Sequence, residues 1–368
     1  MRARPFPYEI GGACAELGTV IDMESWARRA RVPDRRRPGA HLTGATVTRL
    51  LAVESKAWDP ERFADPETVA RVARGALESA RLAPEEVTAV VLVTCTPYQV
   101  MLDQDAFAVL RILGIADHVP PVQLGAGCAG LARAAAVVSS TRTERALVIA
   151  YNVASRVSTA ADGSLLPHYA DNTLHPYGKS LWASSALFSD GVGALVLRRN
   201  VDAEGMVLYS RDSQSFGDEP GLTDPLIHFP GGGSRHPAGS PGSCELSGYG
   251  MNSPEIQRYY SRGMTLNHEA LEEVRPGYLK EVTRLYTHQA NPRLVDAFRE
   301  EMGLPAERAP SNVHTVGNTA AASTIALLHA DLVAGTIERS DEVCFSVVGS
   351  GPERGALITP VQVPAPRA

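Results

Sequence analysis

An excess of positive charge, metal-spaced cysteines and long apolar runs are all missing from this chain of 368 residues, and each gap removes a class of function. Its 35 Lys and Arg against 41 Asp and Glu leave a formal net charge of −6, without the basic surface that nucleic acid demands. Lysine is scarce, standing only at Lys56, Lys179 and Lys280. Gly, Ser or Arg breaks the longest apolar stretches before they reach the length of a membrane span, so no membrane association is expected. The opening Met-Arg-Ala-Arg-Pro-Phe-Pro-Tyr-Glu carries arginines with no apolar core behind them, which argues against a secretory leader and for a cytoplasmic location. Cys14, Cys95, Cys128, Cys244 and Cys344 are odd in number and scattered. An intracellular chain keeps such cysteines reduced, and no metal or resident cofactor is expected.

What remains is ordinary globular material, 44% hydrophobic and 21% charged, long enough for two domains or two halves. Asp65-Pro66 predicts a helix start, followed by apolar residues at helical spacing from Val69 to Ala80. Val87–Val93 and Ala146–Ala150 read as buried strands, and 104–113 as a helix closed by Gly114. Ser185–Leu197 reads as two strands about a tight Asp190-Gly191 turn. The polar segment 155–180 is long for a connection, so it is either functional or a covering flap. A Gly-, Pro- and Ser-rich stretch from Gly217 to Ser247 reads as a surface loop and separates a first half, 1–200, from a second, 201–368.

The second half repeats the style of the first: helix 268–284, a strand near Leu285, helix 291–302, a strand over 312–316, a buried helix from Asn318 to about Val333, and strand Val343–Val348. Alternating helices and strands predict α/β layers, and the repeated pattern predicts an internal duplication.

The chemistry concentrates after strands. Gly125-Ala-Gly-Cys128-Ala-Gly-Leu131 runs from a short strand into an Ala-rich helix that is apolar except for Arg133. The glycines suggest a sharp turn reached through positive φ. A thiol at a helix start is expected to have its pKa lowered and to become a nucleophile. His288 and Asn318 occupy comparable places in the second half. Taken singly, each of the three is ordinary: a small buried hydrophobe, a structural imidazole, an N-cap. Together they are a nucleophile with two hydrogen-bond donors that need carry no charge. Cysteine proteases also use Cys, His and Asn, but the α/β alternation fits that reading poorly.

Three segments, Gly125–Leu131, Thr287-His288-Gln-Ala-Asn291-Pro-Arg293-Leu294 and Gly317-Asn318-Thr-Ala-Ala-Ala-Ser323, resemble the signatures of the β-ketoacyl-acyl-carrier-protein synthase III family. Phe188-Ser-Asp190-Gly-Val-Gly-Ala194 and Gly349-Ser-Gly-Pro-Glu-Arg-Gly355 are similar to that family too, in the same order along the chain. The resemblance implies a thiolase fold, a five-layer αβαβα sandwich of two related halves, working as a homodimer on acyl thioesters of coenzyme A or acyl carrier protein. It implies Cys128 as the acyl-accepting nucleophile, His288 and Asn318 as the donors that stabilise an enolate, and backbone N–H groups of Cys128 and Ser350 as the oxyanion hole. Arg293 and Arg49 match positions that meet the carrier or coenzyme A phosphates.

Departures surround the entry and pocket. Thr48-Arg49-Leu50-Leu51 stands where the family has Arg-Thr-Gly-Ile, Ser350 stands where it has glycine, and Pro352-Glu353-Arg354 replaces the usual C-terminal loop. These changes imply a specialised relative. Two reactions fit: decarboxylative condensation with a malonyl-type thioester, or passage of the acyl group to a hydroxyl or amine with His288 as base.

Overall fold

In a computed structural model of the chain, which describes residues 3–100 and 102–364, ten strands form two five-stranded sheets. In chain order these are β1 (Arg4–Phe6), β2 (Tyr8–Leu17), β3 (Ala89–Thr94), β4 (Pro121–Gly125), β5 (Arg145–Val153), β6 (Asp190–Arg199), β7 (Gly205–Arg211), β8 (Arg284–Thr287), β9 (Glu342–Gly349) and β10 (Glu353–Pro360). The principal helices are α1 (Glu67–Ser79), α2 (Gln104–Leu113), α3 (Gly130–Thr141), α4 (Leu181–Leu187), α5 (Ser253–Val274), α6 (Pro292–Met302) and α7 (Ala322–Ala334).

The first sheet has the order β2-β6-β5-β3-β4 and the second β1-β7-β10-β9-β8. Four strands of each repeat the same pairing. β3 is parallel to β5, which runs antiparallel to β6 and β6 to β2; β8 is parallel to β9, which runs antiparallel to β10 and β10 to β7. Helices α3 and α7 lie between the sheets, α1 and α2 cover the outer face of the first, and α5 and α6 cover the outer face of the second. The result is a five-layer αβαβα sandwich.

Composition explains the layers. β3 and β5, Ala-Val-Val-Leu-Val-Thr and Arg-Ala-Leu-Val-Ile-Ala-Tyr-Asn-Val, are covered on both faces and carry apolar residues without alternation. The middle helices are rich in alanine, so neither sheet is held far off, and Leu131, Val138, Ile325 and Leu328 fill the space between. Each such fully buried aliphatic contributes about 1.5–3 kcal/mol. β1 is an exception to chain order: it pairs with β7, so the N-terminus closes the edge of the second sheet.

Several local expectations give way. The Asp190-Gly191 hairpin is absent; α4 leads into the unbroken strand β6. Asp190 is wholly buried, its carboxylate accepting the N–H groups of Ser155 at 2.9 Å and Asp59 at 2.8 Å, so it cannot sit at a solvated turn. Residues 313–316 form a helical turn, not a strand, because the Asn312 carbonyl accepts from Thr315 and Val316. The helix expected over 268–284 begins at Ser253 and ends at Val274, since Tyr259, Tyr260 and Met264 extend its buried face backwards and Gly277, at φ 81°, starts a separate turn. The buried helix of the second half starts at Ala322, not Asn318.

Lys56, one of the three lysines, is wholly buried beneath this region. It donates to the carbonyls of Ser185, Ala186 and Phe188 and lies 4.1 Å from the Trp58 ring centroid. Burial pulls its ammonium down to about 7 against the attraction of Asp190. It clamps the chain reversal between α4 and β6, against which the Asn318 loop packs.

Candidate active site

Asn318 joins the three loops, its side chain facing Cys128 and the carbonyl of Ala290, two residues after His288, and Cys128, His288 and Asn318 are all at least 95% buried. Cys128 stands in the turn between β4 and α3. Neither Gly125 nor Gly127 has positive φ, contrary to expectation. Glycine is needed one turn later, at Gly130, where a Cβ would come within 2.2 Å of Val93 Cγ1 on β3. Without a side chain there, α3 begins against the sheet and sets Cys128 at its head.

Asn318 depends on a glycine as well. Gly317 adopts φ 73°, and a Cβ on it would meet Ser189 Oγ at 2.1 Å. The loop is then tied to the end of α4: Asn318 N–H donates to the Leu187 carbonyl at 3.0 Å, and its carbonyl accepts from Ser189 at 2.9 Å. Asn318 Oδ1 accepts the N–H of Ala320 at 2.8 Å. That bond orients the amide so that Nδ2 faces the Ala290 carbonyl at 3.4 Å and Cys128 Sγ at 3.9 Å. Ala320 holds φ 52°, a strained value for a residue with a Cβ, and lines the cavity beside the thiol.

His288 follows β8, its backbone N–H donating to the Ser346 carbonyl of β9 at 2.8 Å. Its Nε2 is buried and has no partner among the described residues. Burial takes the imidazole down to about 3, so it is neutral across the physiological range.

The thiol overturns the helix-start expectation. Burial, and then the neighbouring Cys95, push Cys128 up to about 12, with hydrogen bonds from Asn318 and Tyr260 opposing. Cys128 lies two residues ahead of the helix and is 4% exposed, so loss of water outweighs the dipole. The free thiol is protonated.

A cavity of about 190 Å³ opens on Cys128, lined also by Cys95, Phe188, Tyr249, Ser350 and the Arg133–Glu353 ion pair. Arg133, the polar exception on α3, donates through Nε to Glu353 Oε2 at 2.7 Å. The long polar segment proves to be cover: Val157, Ser158 and Tyr169 line the cavity. Ser350 is drawn in because Gly349 presses on the residue after Cys128; a Cβ at 349 would lie 2.8 Å from Ala129 Cβ.

Arg293 and Arg49 lie together at the surface. Arg293 donates to the backbone carbonyls of Arg49 at 2.6 Å and Leu50 at 3.3 Å, fastening α6 to the end of helix Gly44–Leu51. Arg49 lines a cleft of about 360 Å³ with Arg35, Arg36 and Arg37. Among the described residues no cluster of His, Cys, Asp and Glu could hold a metal ion, and no helix is long and apolar enough to cross a membrane.

Sequence reasoning missed Cys95, Tyr249 and Tyr260. Cys95 directly follows β3 in the way that Cys128 follows β4, a signal that was available. Tyr249 and Tyr260 fall between the loop read over 217–247 and the helix read over 268–284, and nothing in their spacing marks them.

Two five-stranded sheets around a pair of buried helices, with Cys128 ahead of one helix and Asn318 ahead of the other, define a thiolase-fold protein. The model of the 3-oxoacyl-[acyl-carrier-protein] synthase III C-terminal family matches residues 278–360. β-Ketoacyl-[acyl-carrier-protein] synthase III 3 of Streptomyces coelicolor is 34% identical over 293 residues, 77% of this chain and 79% of that protein. Acetoacetyl CoA synthase NphT7 of a Streptomyces strain is 28% identical over 316 residues, 83% of this chain and 86% of that one. Among solved structures, 3-oxoacyl-(acyl carrier protein) synthase III of Pseudomonas aeruginosa superposes with a TM-score of 0.73 at 22% identity, over 99% of this chain and 100% of that one. The chain belongs to the β-ketoacyl-acyl-carrier-protein synthase III family of condensing enzymes.

Proposed function

We propose that this protein is a decarboxylative condensing enzyme that carries its acyl group on Cys128. The observation behind the reading is the approach of Asn318 Nδ2 to 3.9 Å from Cys128 Sγ, together with a buried His288 Nε2 that has no partner among the described residues. Leaving a buried polar atom unpaired costs about 1–3 kcal/mol, a cost that a substrate carbonyl would relieve.

In the first half-reaction the Cys128 sulfur attacks an acyl thioester, the bond to the carrier sulfur breaks, and the thiol proton leaves on the carrier's thiol. The backbone N–H groups of Cys128 and Ser350 receive the oxyanion. In the second, a malonyl-type thioester loses CO₂ and its enolate oxygen accepts from His288 and Asn318. The enolate carbon attacks the acyl carbon, and Cys128 departs as thiolate. Arg293 and Arg49 would meet the phosphates of coenzyme A or acyl carrier protein, and the working unit would be a homodimer.

Passage of the acyl group to a hydroxyl or amine would ask His288 to take a proton. An imidazole held near pKa 3 is a poor base, which favours condensation. The test is to acylate the enzyme, add malonyl-carrier protein, and measure CO₂ and the extended product together. Wild type should release both, and Asn318→Ala should lose ~10²–10³ in rate. Transfer to a hydroxyl or amine with no CO₂ would overturn the reading.

A further inference from the structure

Among the residues lining the Cys128 cavity, Arg133 and Glu353 are the charged ones. Glu353 opens β10, and successive side chains of a strand point to opposite faces of the sheet. Its neighbour Arg354 turns toward α5, where Nε donates to Asp212 Oδ2 at 2.9 Å and Nη1 to Asn267 Oδ1 at 3.0 Å. Glu353 turns the other way, toward α3, and Arg133 of that helix donates to its Oε2 through Nε at 2.7 Å and Nη2 at 2.6 Å. Arg133 Nη1 also reaches back to within 3.5 Å of the Gly125 carbonyl. That contact keeps the pair beside the turn that carries the thiol.

The pairing is lopsided. An arginine fork often spreads over both oxygens of a carboxylate. Here both guanidinium donors go to Oε2, and the Tyr209 hydroxyl donates to the same oxygen at 2.9 Å. Oε1 accepts from no group among the described residues. The Glu353 side chain is 3% exposed, so bulk water does not supply the missing donor. A carboxylate oxygen left bare in so dry a place is costly, and a ligand that brings it a donor is held by it.

We propose that Glu353 selects the acyl group carried by Cys128, its Oε1 accepting a hydrogen bond from a hydroxyl on that chain. The proposal rests on Cys128 being the acylated residue, as argued above. Charge decides the class of group. Arg133 and Glu353 already cancel, and a neutral hydroxyl leaves that balance intact. A carboxylate on the chain would bring an uncompensated negative charge beside Glu353, and an ammonium an uncompensated positive one beside Arg133. A plain alkyl chain fills the space and leaves Oε1 bare. Arg133 and Tyr209 hold the carboxylate by its other oxygen, so it is set in place before the chain arrives. The cavity, about 190 Å³, keeps that chain small. The donor is therefore a short hydroxyacyl thioester.

The test is the rate of Cys128 acylation in the full chain, followed by intact mass, with butyryl-, 3-hydroxybutyryl-, 4-hydroxybutyryl- and succinyl-CoA supplied separately. At limiting donor, one of the hydroxyacyl thioesters should outrun butyryl-CoA by about 10- to 150-fold, the worth of a hydrogen bond to a charged acceptor. Succinyl-CoA should be the slowest. In Arg133→Met/Glu353→Leu, which removes both charges together, butyryl-CoA should overtake both hydroxyacyl donors. The wild-type ratios need no variant, so they decide the matter if the double variant fails to fold. Equal rates for butyryl and both hydroxyacyl donors, a preference for succinyl-CoA, or a hydroxyacyl preference unchanged in the folded double variant would overturn the proposal. Each of those results still shows an acylated Cys128 and leaves the proposed function standing, whereas a wild type acylated by no donor would sink the function and this proposal with it.

Discussion

Removing the carboxylate of Asp212 is the sharpest perturbation of the packing that places α5. Its side chain is 1% exposed and that of its partner Arg354 5%, at 2.9 Å. The same carboxylate accepts from Ser210 Oγ at 2.6 Å and Tyr259 at 2.7 Å. Asp212→Ala therefore leaves a guanidinium buried with Asn267 as its remaining side-chain acceptor, and a tyrosine hydroxyl with none. Breaking one side of a buried pair costs roughly 3–5 kcal/mol, and the stranded hydroxyl adds to this without being strictly additive. Against a total stability of about 5–15 kcal/mol, the urea midpoint at fixed protein concentration should fall by about a fifth or more. The double variant Asp212→Leu/Arg354→Met, which removes both charges, should recover most of the loss. The reasoning is refuted if Asp212→Ala costs less than about 1 kcal/mol, or if the double variant is no better than the single.

Two further outcomes follow from the site. Gly130→Ala would place a Cβ 2.2 Å from Val93 Cγ1; an overpacking cost of about 1–3 kcal/mol should exceed the ~1 kcal/mol helix gain, and Val93→Ala should relieve it in the double variant. Equal stability of Gly130→Ala and wild type would contradict that packing. Burial lowers His288 from 6.5 to about 3, so between those values the unfolded chain binds a proton that the folded chain refuses. Stability on this account is present above pH 6.5 and drains away as pH falls toward 3, by up to about 5 kcal/mol. His288→Gln should flatten that part of the pH dependence, read from urea midpoints; parallel curves for the two proteins would show that the imidazole is not buried neutral.

The layers were legible because their signals are long and redundant: the β-branched run before Cys95, the alanine-rich helices and the strand–turn–helix pattern of each half. The proposed catalytic trio stood out because Cys128 and His288 come after strands, and because the His-Gln-Ala-Asn and Gly-Asn-Thr segments are specific; Asn318 follows a helical turn instead. Misreadings fell where tertiary contacts override local preference. Asp190-Gly191 has the composition of a turn, yet its carboxylate is satisfied by two backbone donors from distant loops. The acidified thiol was a sound reading of a helix start, but local sequence carries no measure of how completely the rest of the chain will exclude water. Tyr260 was hidden for a similar reason: its ring partner, His288, is 28 residues distant in the chain.

The central claim is that Cys128 carries the acyl group, and intact-mass analysis tests it most directly. Incubation with a panel of acyl-CoA thioesters should add the mass of one acyl group, mapped to the peptide containing Cys128, and Cys128→Ala should show none. A panel that leaves wild type unmodified, or an adduct that survives in Cys128→Ala, would contradict the account.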